Sequence, residues 1–216
     1  MSEHGPIGYF VHHQGRGHAE RAAAIANALI ETRGVTLFCA RDDIFAALDE
    51  RIVVQTIPSL FEPTGQEAPA MAALPAPDTV HCAPLGWPSI TQAFAAIAQW
   101  FAEAQPALFI TDVSAELGQL ARLCSVPHVA VLQHGERSDP GHMAAYDSAV
   151  GLLAPYSERL EQHDRPAAMR RKTHYASGVG IDCSGFPDRA EARAKLGIGL
   201  QLSLIHISEP TRQIRI

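Results

Sequence analysis

The chain has 216 residues, 47% of them hydrophobic and 19% charged, with a formal net charge of −6. That length and apolar share allow a substantial buried core in one or two domains, and the acidic balance argues against a nucleic-acid footprint. Cys39, Cys82, Cys124 and Cys183 are scattered without a CxxC pair, as expected of reduced thiols in a cytoplasmic protein; with no basic–apolar leader and no long apolar run, secretion and a transmembrane segment are disfavoured.

Ile7 to Val11 is a short apolar run with aromatic and β-branched residues, which predicts a buried parallel strand. It breaks into His12-His13-Gln14-Gly15-Arg16-Gly17, and from His18 the pattern turns helical, with Ile25, Ala28 and Leu29 on one face and Glu20 in the first turn. Strand, glycine loop and helix together aim backbone N–H groups and a positive helix end at an anion. A dinucleotide fingerprint would need a third glycine where Glu20 stands, so the Rossmann match is poor. Instead, His18 is placed at the helix mouth and Arg21 one turn in.

Val35 to Ala40 predicts a second strand, Asp43 to Asp49 a short helix, and Ile52 to Ile57 a third strand. Residues 58–88 hold seven of the fifteen prolines, an excursion too long for an ordinary connection. Ser89 follows Pro88 as a plausible cap for a helix to Glu103, where Ile90, Phe94, Ile97 and Phe101 share a face. The aromatic stripe Phe94, Trp100 and Phe101 reads as core rather than as a membrane-docking surface. Strands Leu108 to Thr111 and Val129 to Leu132 flank a helix from Ala115 to Leu123. A strand Gly151 to Ala154, a short helix Tyr156 to Gln162 and a strand Thr173 to Ala176 follow. Gly178 to Pro187 reads as a linker and Asp188 to Leu196 as a helix. The alternation implies an α/β fold, a Rossmann-like parallel sheet with helices on both faces.

A positive charge is disfavoured at a helix amino-terminus, so His18 is expected to be a neutral imidazole, able to act as a general base; a structural loop histidine is the bland alternative. Gly15 and Gly17 favour close approach of an anion, or are simple turn glycines. Arg16 and Arg21 either bind phosphate or sit on a solvated helix face. Gln133, His134 and Arg137 follow an apolar strand, where open α/β sheets place ligands, and are candidate substrate contacts against a plain polar loop. His12 and His13 alternate across a strand end, so at most one faces the cleft, and His13 is the candidate. His134 with His142 has no accepted metal-ligand spacing, and no metal site is expected.

The pattern GxGHxxR before an alanine-rich helix resembles the opening of the GT-B nucleotide-sugar glycosyltransferases. The likeness is strongest to the family 28-like group, which includes the lipid-linked N-acetylglucosamine transferase of peptidoglycan synthesis. Leu108 to Glu116, leading into LGQLARLCSVPHVAVLQHGERSD, is similar to the later half of that family's N-terminal domain. The resemblance covers roughly residues 5 to 199. It implies a hexosyl transfer from a nucleotide-diphosphate sugar to a small-molecule or lipid-linked acceptor hydroxyl, inverting and metal-independent, with no resident cofactor. It also implies that Asp112 pairs with His18 and orients it, the catalytic pair; the alternative is that Asp112 caps the following helix. Peripheral membrane contact is left open.

Leu202 to Arg212, LSLIHISEPTR, is the translation of transposon-end adapter DNA used in sequencing libraries, so residues 202–216 are expected to be an adapter-derived artefact. The expected organisation is an acceptor-side domain at 1–177, then 178–201 as interdomain linker and first helix of a truncated donor domain. A chain of this kind is expected to be inactive alone. Two other readings stay open: a GT-B-fold UDP-sugar epimerase using Glu116 and Glu136 as acid and base, and a non-catalytic nucleotide- or sugar-binding α/β protein.

Overall fold

Among the described residues, short apolar runs separated by polar turns become seven parallel strands in the order β3-β2-β1-β4-β5-β6-β7. The strands are β1 (Ile7–Val11), β2 (Val35–Cys39), β3 (Val53–Thr56), β4 (Leu108–Asp112), β5 (His128–Val131), β6 (Gly151–Ala154) and β7 (Thr173–Tyr175). The computed structural model describes residues 5–45, 47–135, 137–181, 185–199 and 201. Two compact units divide the chain, Met1–Ile181 and Asp182–Ile216.

Every residue of β1 and β2 is buried, because helices cover both faces of the sheet. On one face α1 (Arg16–Leu29) lays Ala22 and Ala26 against Tyr9, Val11 and Leu37. On the other, α3 (Pro88–Ala104) and α4 (Ala115–Leu123) pack Ile97, Phe101 and Leu117 against Phe10, Phe38 and Phe109. Tyr9 and Phe10 therefore serve opposite cores, as the two-residue period of a strand requires. Phe101 is buried in the α3–α4 core and the half-buried Phe94 and Trp100 pack against it, so the aromatic stripe faces the core. A third cluster under β5 and β6 contains Leu132, Leu152, Tyr146 and Met169, the last two from α5 (Pro140–Ser148) and α6 (Ala167–Arg171).

Local chemistry moves several expected boundaries. α1 starts at Arg16 rather than His18, so Glu20 lies beyond the first turn. The helix expected at Asp43–Asp49 is absent among the described residues. Asn27 of α1 accepts from Asp49 N and donates to Ala47 O, and these bonds replace helical ones in a segment too short to nucleate well. Ser89 is not a cap: Pro88 occupies the first helical position, where its missing N–H costs nothing, and Ser89 is buried inside the helix. The expected helix at Tyr156–Gln162 is one 3-10 turn at Glu158–Leu160, with the Ser157 hydroxyl accepting from Arg159 N. Within the proline-rich excursion a short α2 (Pro69–Ala72) forms.

In the second unit α7 (Arg189–Lys195) is capped by Asp188, which accepts from Glu191 N at 2.8 Å. Residues 202–216, the adapter-like run, lie outside the described residues. Among the described residues, no helix is long and apolar enough to cross a membrane.

Candidate active site

Strand order reverses between β1 and β4, whose registers align Val11 with Asp112. Beyond the carboxyl ends of such neighbours the connections diverge to opposite sides and leave a crevice. Asp112 ends β4 there, its side chain fully buried. Arg21, one turn into α1, donates to it through Nε at 2.9 Å and through Nη2 at 2.8 Å to both oxygens. His18 Nδ1 lies 2.8 Å from Asp112 Oδ1, and the Tyr9 hydroxyl donates to Oδ2 at 3.5 Å.

Contact with a carboxylate oxygen favours the tautomer protonated on Nδ1, in which that nitrogen donates to Asp112 and Nε2 keeps its lone pair. Arg21 Nη2 also lies 3.0 Å from Nδ1, but both Asp112 oxygens already accept from it. Burial works against the Arg21 charge; the Asp112 hydrogen bonds and charge outweigh it and raise the Arg21 pKa. Burial, with the Asp112 charge adding to it, pushes the Tyr9 pKa well above its ordinary value, so the phenol remains a donor.

Asp112 is free for this work because Ser114, not Asp112, caps α4, its hydroxyl accepting from Leu117 N at 3.2 Å. Val113 between them takes a left-handed φ of 69°, an outlier for a β-branched residue and a mark of strain at the site.

Gly15 is the amino-terminal cap of α1 with φ 99°, and no side chain caps the first turn. A Cβ at Gly15 would come within 3.3 Å of His18 Cδ2, while at Gly17 it would meet nothing within 4 Å. The His18 N–H turns back to Gly15 O at 3.2 Å, which leaves the Arg16 and Gly17 N–H groups as the first-turn donors beside the His18 ring. The Arg16 side chain is exposed and pairs with Glu20 at 2.5 Å, whereas Arg21 is turned inward rather than onto a solvated face. His13 points at Glu62, with Nε2 3.1 Å from Oε1, and Gln14 donates to the same oxygen at 2.7 Å.

The strand-end histidine that reaches the crevice is His12. It stacks on Phe61 at 4.5 Å and lines a cavity of about 350 Å³ with Val113, Glu116, Gln133, Arg137 and His142. Burial lowers the His12 pKa, with the His18 and His13 charges adding to it, and its Nδ1 accepts from Gln14 N. The His18 ring is its neighbour, 5.5 Å away between centroids and inclined at 36°.

Gln133 and Arg137 share the cavity wall, Arg137 Nη2 donating to Gln133 Oε1 at 2.9 Å. His134 is exposed, edge-on to Tyr156 at 5.9 Å, and is not brought to this wall. Glu116 is buried and its Oε1 accepts from the backbone N–H groups of His81 and Cys82. Glu136 lies outside the described residues. Sequence reasoning chose His13 over His12 and missed Phe61 and Glu62; that aromatic and acidic pair, a few residues past the third strand, was the available signal.

No protein-family model and no curated protein matches the chain by sequence. Solved structures match it by shape. The UDP-glucosyltransferase from Polygonum tinctorium superposes on 87% of this chain and 55% of its own, with a TM-score of 0.54 at 12% identity. A glycosyltransferase from Rickettsia africae covers 91% of this chain and 50% of its own (TM-score 0.54, 12% identity). MurG from Acinetobacter baumannii covers 84% and 48% (TM-score 0.51, 13% identity). The chain has the fold of one Rossmann-like half of these proteins. It spans about half the length of each of these proteins, so the likeness extends to one Rossmann-like half of the GT-B architecture.

Proposed function

We propose that this chain is the acceptor-side half of a glycosyltransferase that moves a hexosyl group from a nucleotide-diphosphate sugar to an acceptor hydroxyl. The observation that carries the reading is the buried Arg21–Asp112–His18 network at the β1/β4 switch point. His18 Nε2 takes the acceptor proton. Asp112 holds the ring through Nδ1 and stabilises the imidazolium that forms, the role of an orienting carboxylate in other base–carboxylate pairs. Arg21 positions and neutralises Asp112 instead of gripping phosphate. The uncapped first turn at Gly15 and Gly17 faces the charge developing on the departing nucleoside diphosphate, with Arg16 at its edge.

Gln133, Arg137 and His12 line the space for the acceptor, and His134 and His13 have outer roles. Transfer from such a site inverts the anomeric centre in one displacement and calls for no metal at the donor. The donor domain, the hexosyl identity and a cytoplasmic setting belong to the same proposal. Support comes from the fold shared with the UDP-glucosyltransferase and MurG, together with this network.

The test is UDP release by the protein carrying both halves, with and without acceptor alcohols. Acceptor-dependent release, reduced roughly 10²–10⁴-fold in His18→Ala, is the expected result for a positioned general base. A change in the sugar without any acceptor would instead favour an epimerase.

A further inference from the structure

We propose that His81, Asp139 and His142 bind a divalent transition-metal ion of the zinc class. One ligand atom from each residue lies within 4.8 Å of the other two. His81 Nδ1 stands 3.3 Å from Asp139 Oδ1, about the ligand–ligand edge of a tetrahedral site with bonds near 2.0–2.1 Å. The two imidazole rings are 4.0 Å apart between centroids, inclined at 56°. Two imidazoles and one carboxylate form a mixed nitrogen–oxygen set that suits zinc and its neighbours better than magnesium or calcium. The histidines are far apart in sequence, so no spacing motif announces them.

The backbone around the ligands is fixed in advance. His81 lies on the excursion, and its N–H and that of Cys82 are held by the buried Glu116 Oε1 at 2.8 and 2.6 Å. Gln119 Nε2 bridges Thr79 O and Gly141 O, tying the same loop to the start of α5. Gly141 permits this contact, because a Cβ there would stand 2.6 Å from His81 N. Asp139 caps α5 by accepting from His142 N, and its Oδ2 lies 2.6 Å from His142 Nδ1. An arriving ion displaces the proton shared by that last pair. The positive end of α5 opposes a cation, and the Asp139 carboxylate offsets it.

His81 and His142 border the cavity described above, so the remaining coordination positions, filled by water, open toward it. The ion would clip the excursion to α5 and offer a Lewis-acidic position for an oxygen of a bound ligand. None of this rests on the glycosyl-transfer reading.

The test is a zinc titration of the chelator-treated 216-residue chain by calorimetry, repeated with cobalt(II) and its visible absorption. The variants are His81→Asn, at an exposed position, and Asp139→Asn, where asparagine still caps the helix. Both should keep the metal-free Tm. The wild type should bind one equivalent that raises Tm, and each variant should lose that equivalent or bind it at least about tenfold more weakly. Absence of that equivalent in the wild type would overturn the proposal. Unchanged binding in both variants would do so too, because the ion would then be held by other histidines.

Discussion

Asp112 is a fully buried carboxylate whose partners are a guanidinium, an imidazole and a phenol. Removing one member of a buried charged pair leaves the other uncompensated, at a cost of about 3–5 kcal/mol. Asp112→Ala should therefore lower the unfolding free energy by that order, mainly through the stranded Arg21, as measured by urea denaturation. The His18 tautomer can be read separately by long-range ¹H–¹⁵N NMR. The Nδ1–H form is expected in the wild type; the Nε2–H form would place the proton on the wrong nitrogen for a base.

A second residue carries a pH signature. Burial, and after it the Lys172 charge, lowers the His128 pKa from 6.5 to about 4, with Nε2 3.0 Å from Thr111 Oγ1. Between these values the unfolded chain binds a proton that the folded chain refuses. The stabilisation is fully present above pH 6.5 and is lost as the pH falls toward about 4, by roughly 3 kcal/mol. Urea denaturation at pH 7 and pH 4.5 should show this loss in the wild type and much less of it in His128→Gln. An equal slope in both would assign the acid sensitivity elsewhere.

At the scale of elements, the division of labour at the β4–α4 turn is the feature to probe. Ser114 caps α4 while Asp112 is left to the dyad. Ser114→Ala should cost about 1 kcal/mol, the usual worth of such a cap, without moving the His18 ring resonances. Displaced His18 resonances would show that Asp112 had taken over the cap. Ile97 sits fully buried where α3 meets the sheet, and Ile97→Ala should cost about 2–5 kcal/mol in the same denaturation assay.

Elements with strong apolar patterns were legible along the chain: β1 and β2 as continuous apolar runs buried on both faces, α3 and α4 as helices near their expected limits. α5 was not foreseen. Its PGHMAAYDS carries histidine, glycine and serine in place of an apolar stripe, although Asp139 followed by Pro140 was a readable start signal. The Asp43–Asp49 helix failed because Asn27, a tertiary partner, supplied competing hydrogen bonds.

Across the whole molecule, the glycine loop and the start of α1 were readable from the residues, but only the sheet order brings Asp112 to His18. Arg21 shows the limit most clearly, since its charge is visible in sequence while its inward direction depends on β4 being the neighbour of β1. His12 and His81 acquire meaning only from the excursion folding back onto the end of β1 and the start of α4.

The described residues form three buried apolar clusters, and the chain should unfold cooperatively. Under the proposed reading, donor and acceptor meet in near-attack geometry between two halves, so the chain alone should release no UDP. Sustained turnover by it would contradict the two-half reading.

The most direct measurement compares acceptor-dependent UDP release by the two-half protein and by its His18→Ala variant at matched, saturating substrate. Release that requires acceptor and falls roughly 10²–10⁴-fold in the variant is expected of a general base held by Asp112. Release without acceptor, or near-normal turnover in the variant, would contradict the central assignment.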